Sequence, residues 1–206
     1  MSGDAALDQE RQEAVWPSLS DEQLVALCQE GQTAAFEVLV RRYERRLFNY
    51  LRRMTGSASD AEDLFQETFL RVYTHLERFR ESGLFRAWVY RIATNVCRDL
   101  LRRRKRRPET SLDGAVRHDG APLVDRIASP AANPRDRARE AELAGRLADA
   151  VARLSVKHRA VFLMARYDGL PYEEIGRALR IPVGTVKSRM NKAVHLLMNA
   201  LEEAVE

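Results

Sequence analysis

Cysteine is nearly absent: Cys28 and Cys97 are the only two in 206 residues, and they lie far apart in sequence. That excludes a disulfide-stapled scaffold and predicts two free thiols in a reducing compartment. The four histidines, His75, His118, His158 and His195, are scattered, with no cysteine at metal-ligand spacing. No zinc or other metal site is expected. The ten glycines are isolated, so no phosphate-cradling loop forms. No nucleophile, base and orienting group can be assembled from spacing. Catalytic residues and cofactors are therefore not expected. No run of about 18 apolar residues exists, which excludes a membrane-spanning helix. The first seventeen residues, MSGDAALDQERQEAVWP, are net acidic and lack an apolar centre. They fit neither a secretory signal nor an arginine-rich transit peptide, and a cytoplasmic location is expected. No alternation of apolar and polar residues at period two stands out, so strands are not predicted.

What is present is helical pattern. Hydrophobic residues make up 45% and charged residues 31%, with a formal net charge of +4. The basic balance, with a pI near 9.3, favours a polyanionic partner only weakly, and the placement of charge says more. Ser20 to Gln23 form a capping-box pattern, with Gly31 as a stop. Phe36, Leu39, Val40, Tyr43, Leu47, Tyr50, Leu51 and Met54 then recur at steps of three and four, up to Gly56. Ser59 to Glu62 are expected to cap a third helix, with Leu64, Phe65, Thr68, Phe69, Val72, Tyr73 and Leu76 inward. A fourth helix turns Phe85, Trp88, Val89, Ile92, Val96, Cys97 and Leu100 inward. It runs into the block Arg102–Arg107 and stops at Pro108.

Residues 108–135 change character. Pro108, Pro122, Pro130 and Pro134 fall here with Gly114 and Gly120, a composition expected of a flexible linker. Helical pattern resumes with the stripe Leu143, Leu147, Val151 and Leu154, then Val161, Phe162 and Ala165. Pro171 is expected at a first helical position, and a last helix is expected from Thr185. The fold class is thus all-α. It comprises an N-terminal extension (1–17), a helical domain (18–107), the flexible linker (108–135) and a second small helical domain (136–206).

Three constellations carry functional information. Residues 170–197 read as a short helix, a tight turn and a second helix. Small Gly176 permits close approach, and Ile175, Leu179, Ile181 and Val186 are expected to bury between the helices. This is the logic of a helix-turn-helix, whose second helix enters the major groove. Its leading residues are Thr185, Lys187, Ser188, Arg189, Asn191 and Lys192, types that contact phosphates and base edges. An ordinary helical hairpin with a solvated basic face is the alternative. On the fourth helix, Arg91, Asn95, Arg98 and Arg102 share an outer face. The basic block continues it, and six adjacent positive charges repel one another unless an anion is near. Asn95, a neutral amide among arginines, suits base reading. Phe85, Trp88 and Tyr90 offer stacking surfaces for unpaired bases, or else core packing, the stronger reading for Phe85 and Trp88. On the third helix, Glu62, Asp63, Gln66 and Glu67 form an acidic patch that repels DNA. It is either a solvated face or a dock for a basic protein surface.

Three segments in this order carry a resemblance. SDAEDLFQETFLRVY (59–73), RAWVYRIATNVCRDLLRRRKR (86–106) and GLPYEEIGRALRIPVGTVKSRMNKA (169–193) resemble the extracytoplasmic-function (ECF, group 4) sigma factors of the sigma-70 family, across roughly residues 20–202. The resemblance implies a sigma region 2-like bundle and a sigma region 4-like helix-turn-helix domain. It assigns Asp63, Gln66 and Glu67 to docking on core RNA polymerase, at the clamp helices of the large subunit. It assigns Arg91, Asn95, Arg98 and Arg102 to −10 DNA, with Asn95 receiving a flipped base and the loop before Phe85 completing the pocket. It assigns Lys187, Ser188, Asn191 and Lys192, with Thr185 and Arg189 on the same helix, to −35 DNA. It also implies an anti-sigma factor as partner, promoter DNA as ligand and no membrane insertion. The family pattern gives residues 1–17 no role. One rival is a helix-turn-helix transcriptional regulator that acts without polymerase docking. A second is an enzyme acting on nucleic acid, which needs a metal or acid cluster.

Overall fold

The computed structural model describes residues 15–80, 84–106 and 134–202, with side chains from 142 onward in the last stretch. The described residues form helices joined by short turns, with no strand among them, as the periodicity predicts. Most of the expected linker lies outside the described residues. Its last positions do not: helix already begins at Pro134.

Helix α1 (Asp21–Gln29) opens with the expected capping box. The Gln23 backbone N–H donates to Ser20 Oγ at 3.2 Å, and Ser20 N–H donates to Gln23 Oε1 at 2.8 Å. Helix α2 (Thr33–Thr55) is the central column, with Leu39, Tyr43, Leu47, Tyr50, Leu51 and Met54 buried. Gly56, at φ +80°, ends it in the left-handed conformation that a side chain disfavours. Helix α3 (Ala58–Leu76) is capped by Ser57, not by Ser59: Asp60 N–H donates to Ser57 Oγ at 3.2 Å. Once Gly56 has turned the chain, the next residue is already extended, so the cap falls two positions earlier than expected. The second correction in α3 is Tyr73, which is 52% exposed. Leu64, Thr68, Phe69, Val72 and Leu76 fill the inward stripe, and Tyr73 lies at its edge with its ring against Phe36, 5.0 Å between centroids.

Helix α4 (Phe85–Arg106) seals the N-terminal core. Phe79, Phe85 and Trp88 cluster with centroids 4.7 to 5.8 Å apart, and Tyr43 joins at 5.8 Å from Phe85. Two residues of the extension take part. Trp16 is buried in this core, and Arg42 holds the segment by donating to the Pro17 and Leu19 carbonyls and to Asp21.

The C-terminal helices are α5 (Pro134–Arg153), α6 (Val156–Arg166), α7 (Tyr172–Leu179) and α8 (Val183–Glu202). Pro171 precedes α7 as its extended N-cap rather than standing inside it. Leu143, expected inward, is 58% exposed, and the α5 stripe is buried only further along, at Val151 and Leu154. Helix α8 starts at Val183, two residues ahead of expectation, because the Pro182 carbonyl already accepts from Thr185 and Val186.

The two sets of helices pack on each other. α7 lies across α4, and α5 and α6 meet the end of α2. Arg159 binds this junction. Its guanidinium donates to the Val151, Ala152 and Leu154 carbonyls at the end of α5 and to the Met54 carbonyl at the end of α2, the last at 2.6 Å. Two helix carboxyl ends, each with unpaired carbonyls and partial negative charge, converge on one cation. Arg159→Met is expected to cost about 3 kcal/mol, because several carbonyls lose a charged donor. Urea unfolding of the two proteins measures it; an unchanged midpoint contradicts it.

Candidate nucleic-acid interface

The helix-turn-helix depends on Gly176. A Cβ built there lies 2.9 Å from the Ile181 carbonyl oxygen, closer than real contacts allow. Arg180 turns the chain in the left-handed region at φ +53°, and Ile181 N–H donates to the Gly176 carbonyl at 2.9 Å. Backbone thus meets backbone, and α8 swings onto α7. Ile175 and Val186 are fully buried between the helices, while Leu179 and Ile181 are half-buried. Gly176→Ala is expected to cost about 1–3 kcal/mol, since the clash is with main chain that cannot rotate away. The melting temperature should fall by several degrees, and an equal melting temperature contradicts the close approach.

On α8, Lys187, Ser188, Asn191 and Lys192 are exposed along one face, with Thr185 and Arg189 partly covered beside them. Ser188 Oγ donates to the Thr185 carbonyl at 3.0 Å, which orients it within the first turn. Two residues that sequence reasoning missed adjoin this face. Lys157 and His158, in the first turn of α6, lie close enough for His158 to feel Lys157, Arg189 and Lys192. Burial, then these three cations, hold the imidazole below its ordinary range. The three cations around it, rather than the depression itself, make a local excess of positive charge, which attracts a polyanion. No spacing rule in the sequence joins position 158 to position 192.

On α4, Asn95, Arg98 and Arg102 are exposed, and Arg91 is partly covered. Arg102 also donates to Asp99 at 3.2 Å. The basic run is not left wholly unbalanced: Arg104 donates both Nη groups to Asp60, at 2.5 and 2.6 Å. The stacking alternative for the aromatics is corrected. Phe85, Trp88 and Tyr90 are all buried, the first two in the Phe79 cluster and Tyr90 edge-on to Tyr50 at 5.3 Å. Of the loop before Phe85, ERFRESG, Glu77 to Arg80 are described, and residues 81–83 lie outside the described residues.

On α3, Asp63 and Gln66 are exposed and Glu67 is partly so, accepting from Arg71 Nε at 2.6 Å. The same side continues to Leu70, 62% exposed, and Tyr73. Acid and exposed apolar surface therefore run together, which composition did not reveal. Asp60, Asp63, Leu64, Glu67, Asp99 and Leu100 line a groove of about 400 Å³ between α3 and α4. The thiols are quiet: burial pushes Cys28 up to about 11 and Cys97 up to about 12, so both stay protonated at neutral pH.

Among the described residues, a helix-turn-helix near the C-terminal end and a basic helix face in the N-terminal set define an all-helical protein with the surface chemistry of a DNA-binding protein. Comparison with known proteins agrees. The family description "Sigma-70 region 2" matches residues 39–107, and "Sigma-70, region 4" matches residues 144–197. The chain is 34% identical over 174 residues to the ECF RNA polymerase sigma factor SigW of Bacillus subtilis, covering 84% of this chain and 92% of that one. It is 31% identical over 187 residues to the ECF RNA polymerase sigma-E factor of Escherichia coli, covering 91% and 97%. In fold it is similar to CnrH, solved in complex with the cytosolic domain of CnrY, with a TM-score of 0.64, 24% identity and 89% and 97% of the two chains covered. The chain belongs to the extracytoplasmic-function sigma factors of the sigma-70 family.

Proposed function

We propose that this chain directs core RNA polymerase to −35/−10 promoters and promotes strand opening, without catalytic chemistry, metal or cofactor of its own. The observation that supports this best is the division of surface chemistry. One helix of the N-terminal module offers acid beside exposed apolar side chains, and two other helices, one in each module, offer cations with amides. A DNA-binding regulator has no use for the first.

In this reading residues 18–107 and 136–206 act as two modules, with 108–135 as their tether. Asp63, Gln66 and Glu67 dock on the clamp helices of the large subunit, and Leu70 and Tyr73 add apolar contact. Asn95 takes an extruded −10 base while Arg91, Arg98 and Arg102 track phosphates. Thr185, Lys187, Ser188, Arg189, Asn191 and Lys192 read or clasp the −35 duplex, with Lys157 beside them. Two weak sites on one tether gain from effective concentration once polymerase fixes their spacing. An anti-sigma protein is the expected negative regulator. A structural relative from Bartonella quintana was solved with its anti-sigma factor NepR. The site of action is the cytoplasm; no helix among the described residues is long and apolar enough to cross a membrane.

Co-purification with core polymerase separates this reading from a polymerase-independent regulator, for which no complex forms. Lys187→Ala and Lys192→Ala are each expected to weaken upstream binding. Each should also reduce the slope of log affinity against log salt by about 0.9, the loss of one phosphate contact. Titrations of a −35 duplex at several salt concentrations measure this, and an unchanged slope removes that lysine from the interface.

A further inference from the structure

Ser155 stands at the N-cap of α6 in the extended conformation, yet its hydroxyl caps no backbone N–H. It bonds instead to Nδ1 of His158, three residues on, at 3.0 Å. A serine hydroxyl both donates and accepts. It donates to Nδ1 of a neutral ring and accepts from Nδ1–H of a charged one. The ring therefore keeps its place in either state, and Nε2 is left to meet a further partner. His158 is half-buried in the first turn of α6, which packs on α8. The charged groups that act on it are Lys157 from its own helix and Arg189 and Lys192 from α8, and all three are cations. The amino end of α6 adds partial positive charge of its own.

A histidine so placed responds to a polyanion. In the free chain burial, then Lys157, Arg189 and Lys192, hold the imidazole below its ordinary range, so it is neutral at neutral pH. A fourth charge there would repel the other three. Phosphates laid along the exposed Lys187, Ser188, Asn191 and Lys192 offset the neighbouring cations and supply an acceptor for Nε2–H. Both changes favour the imidazolium, so the ring binds its proton more tightly in the complex than in the free chain. Affinity for DNA is then greatest at low pH, falls as pH rises from the free to the bound value, and is flat above that.

We infer that His158 is a contact residue of the −35 face that takes up a proton when duplex DNA binds, donating from Nε2 to a backbone phosphate while Ser155 holds the ring. The inference rests on the −35 reading of α8. No covalent bond changes: one proton passes from solvent to the ring for each duplex bound, and it returns to solvent on release. The face thus gains a cation only when its ligand is present. At neutral and alkaline pH the histidine limits upstream affinity, and as pH falls it strengthens the grip. A lysine or arginine at the same position carries its charge at all times and gives no such dependence.

Fluorescence titrations of the full chain with a labelled −35 duplex, at pH 6 and pH 8 and fixed salt, test this with parent, His158→Gln and His158→Lys. The duplex is cut from a promoter fragment that the chain transcribes with core polymerase. The parent should bind more tightly at pH 6 than at pH 8 by about 3- to 10-fold. His158→Gln should lose most of that ratio. His158→Lys should show little dependence on pH and bind more tightly than the parent at pH 8, a gain that a merely structural histidine does not give. His195, exposed further along α8, is the other histidine near this face, and a ratio that belongs to it survives in both variants. That result, or one pH profile for all three proteins, overturns the inference and leaves the −35 reading standing. If a variant loses helical circular dichroism, the parent alone decides by NMR. The midpoint of its His158 ring signal should move up when the duplex is added, and an unmoved midpoint overturns the proton uptake. If none of the three binds the duplex at either pH, the −35 reading fails and this inference with it.

Discussion

Asn95→Ala is expected to slow open-complex formation by about 5- to 150-fold while leaving polymerase affinity unchanged. The amide is exposed on α4 between arginines, where it can both donate and accept. Extruding a base costs a few kcal/mol in lost stacking and pairing, which the pocket has to offset. A well-made bidentate contact contributes about 1–3 kcal/mol, a factor of about 5 to 150 in rate if it forms by the transition state. Alanine removes the contact and leaves the helix intact. Transcription from a duplex promoter should fall, and a template with its −10 region already unpaired should recover much of the loss. Equal rates for mutant and parent on both templates contradict the assignment. The arginines alongside act differently: removing one should weaken binding to any sequence.

Asp168→Asn should change how stability depends on pH. Burial raises the Asp168 carboxyl to about 7, although the Tyr90 hydroxyl and the cations Arg53, Arg46 and Arg86 oppose the shift. Those three arginines and both nearby tyrosines, Tyr50 and Tyr90, belong to α2 and α4, so the burial comes from the packing of the modules. The ordinary value is 3.8. Between about pH 4 and 7 the packed chain holds a proton that the unfolded or opened chain has released. Stability from this group is therefore greatest below pH 4, falls as pH rises towards 7, and is flat above that. A shift of about three units corresponds to at most about 4 kcal/mol. Asparagine cannot ionise. The variant should lack this slope and be more stable than the parent at pH 8, with the two converging near pH 4. Urea midpoints across that range check it; parallel curves contradict it.

Much of this was legible in the sequence, for a physical reason. Helical period shows which face of a segment is apolar, and capping residues show where it starts. Hence α1, α2 and α4 fall where expected, the helices of the helix-turn-helix start within two residues of expectation, and Gly176 marks the close approach. What period does not show is which neighbour each face meets. α4 has three faces: one in its own core, one exposed with Asn95 and Arg98, and one against α7. Tyr90, which sequence offers as a stacking surface, is buried edge-on to Tyr50. Arg86 and Glu174 are 88 residues apart and read as surface charges until the fold joins them. Trp16 was assigned to an extension without a role and lies in the core. Leu70 and Tyr73 are apolar residues on an outward face, which a one-dimensional pattern counts as core. The Ser57 cap was missed because a left-handed glycine, not a serine motif, set the boundary.

Run-off transcription bears most directly on the whole. Core polymerase, a pool of genomic promoter fragments and this chain are incubated together. Transcripts should start at a defined subset of fragments and disappear when the chain is omitted. No transcripts, or the same background set with and without it, contradicts the claim that this polypeptide brings polymerase to promoters.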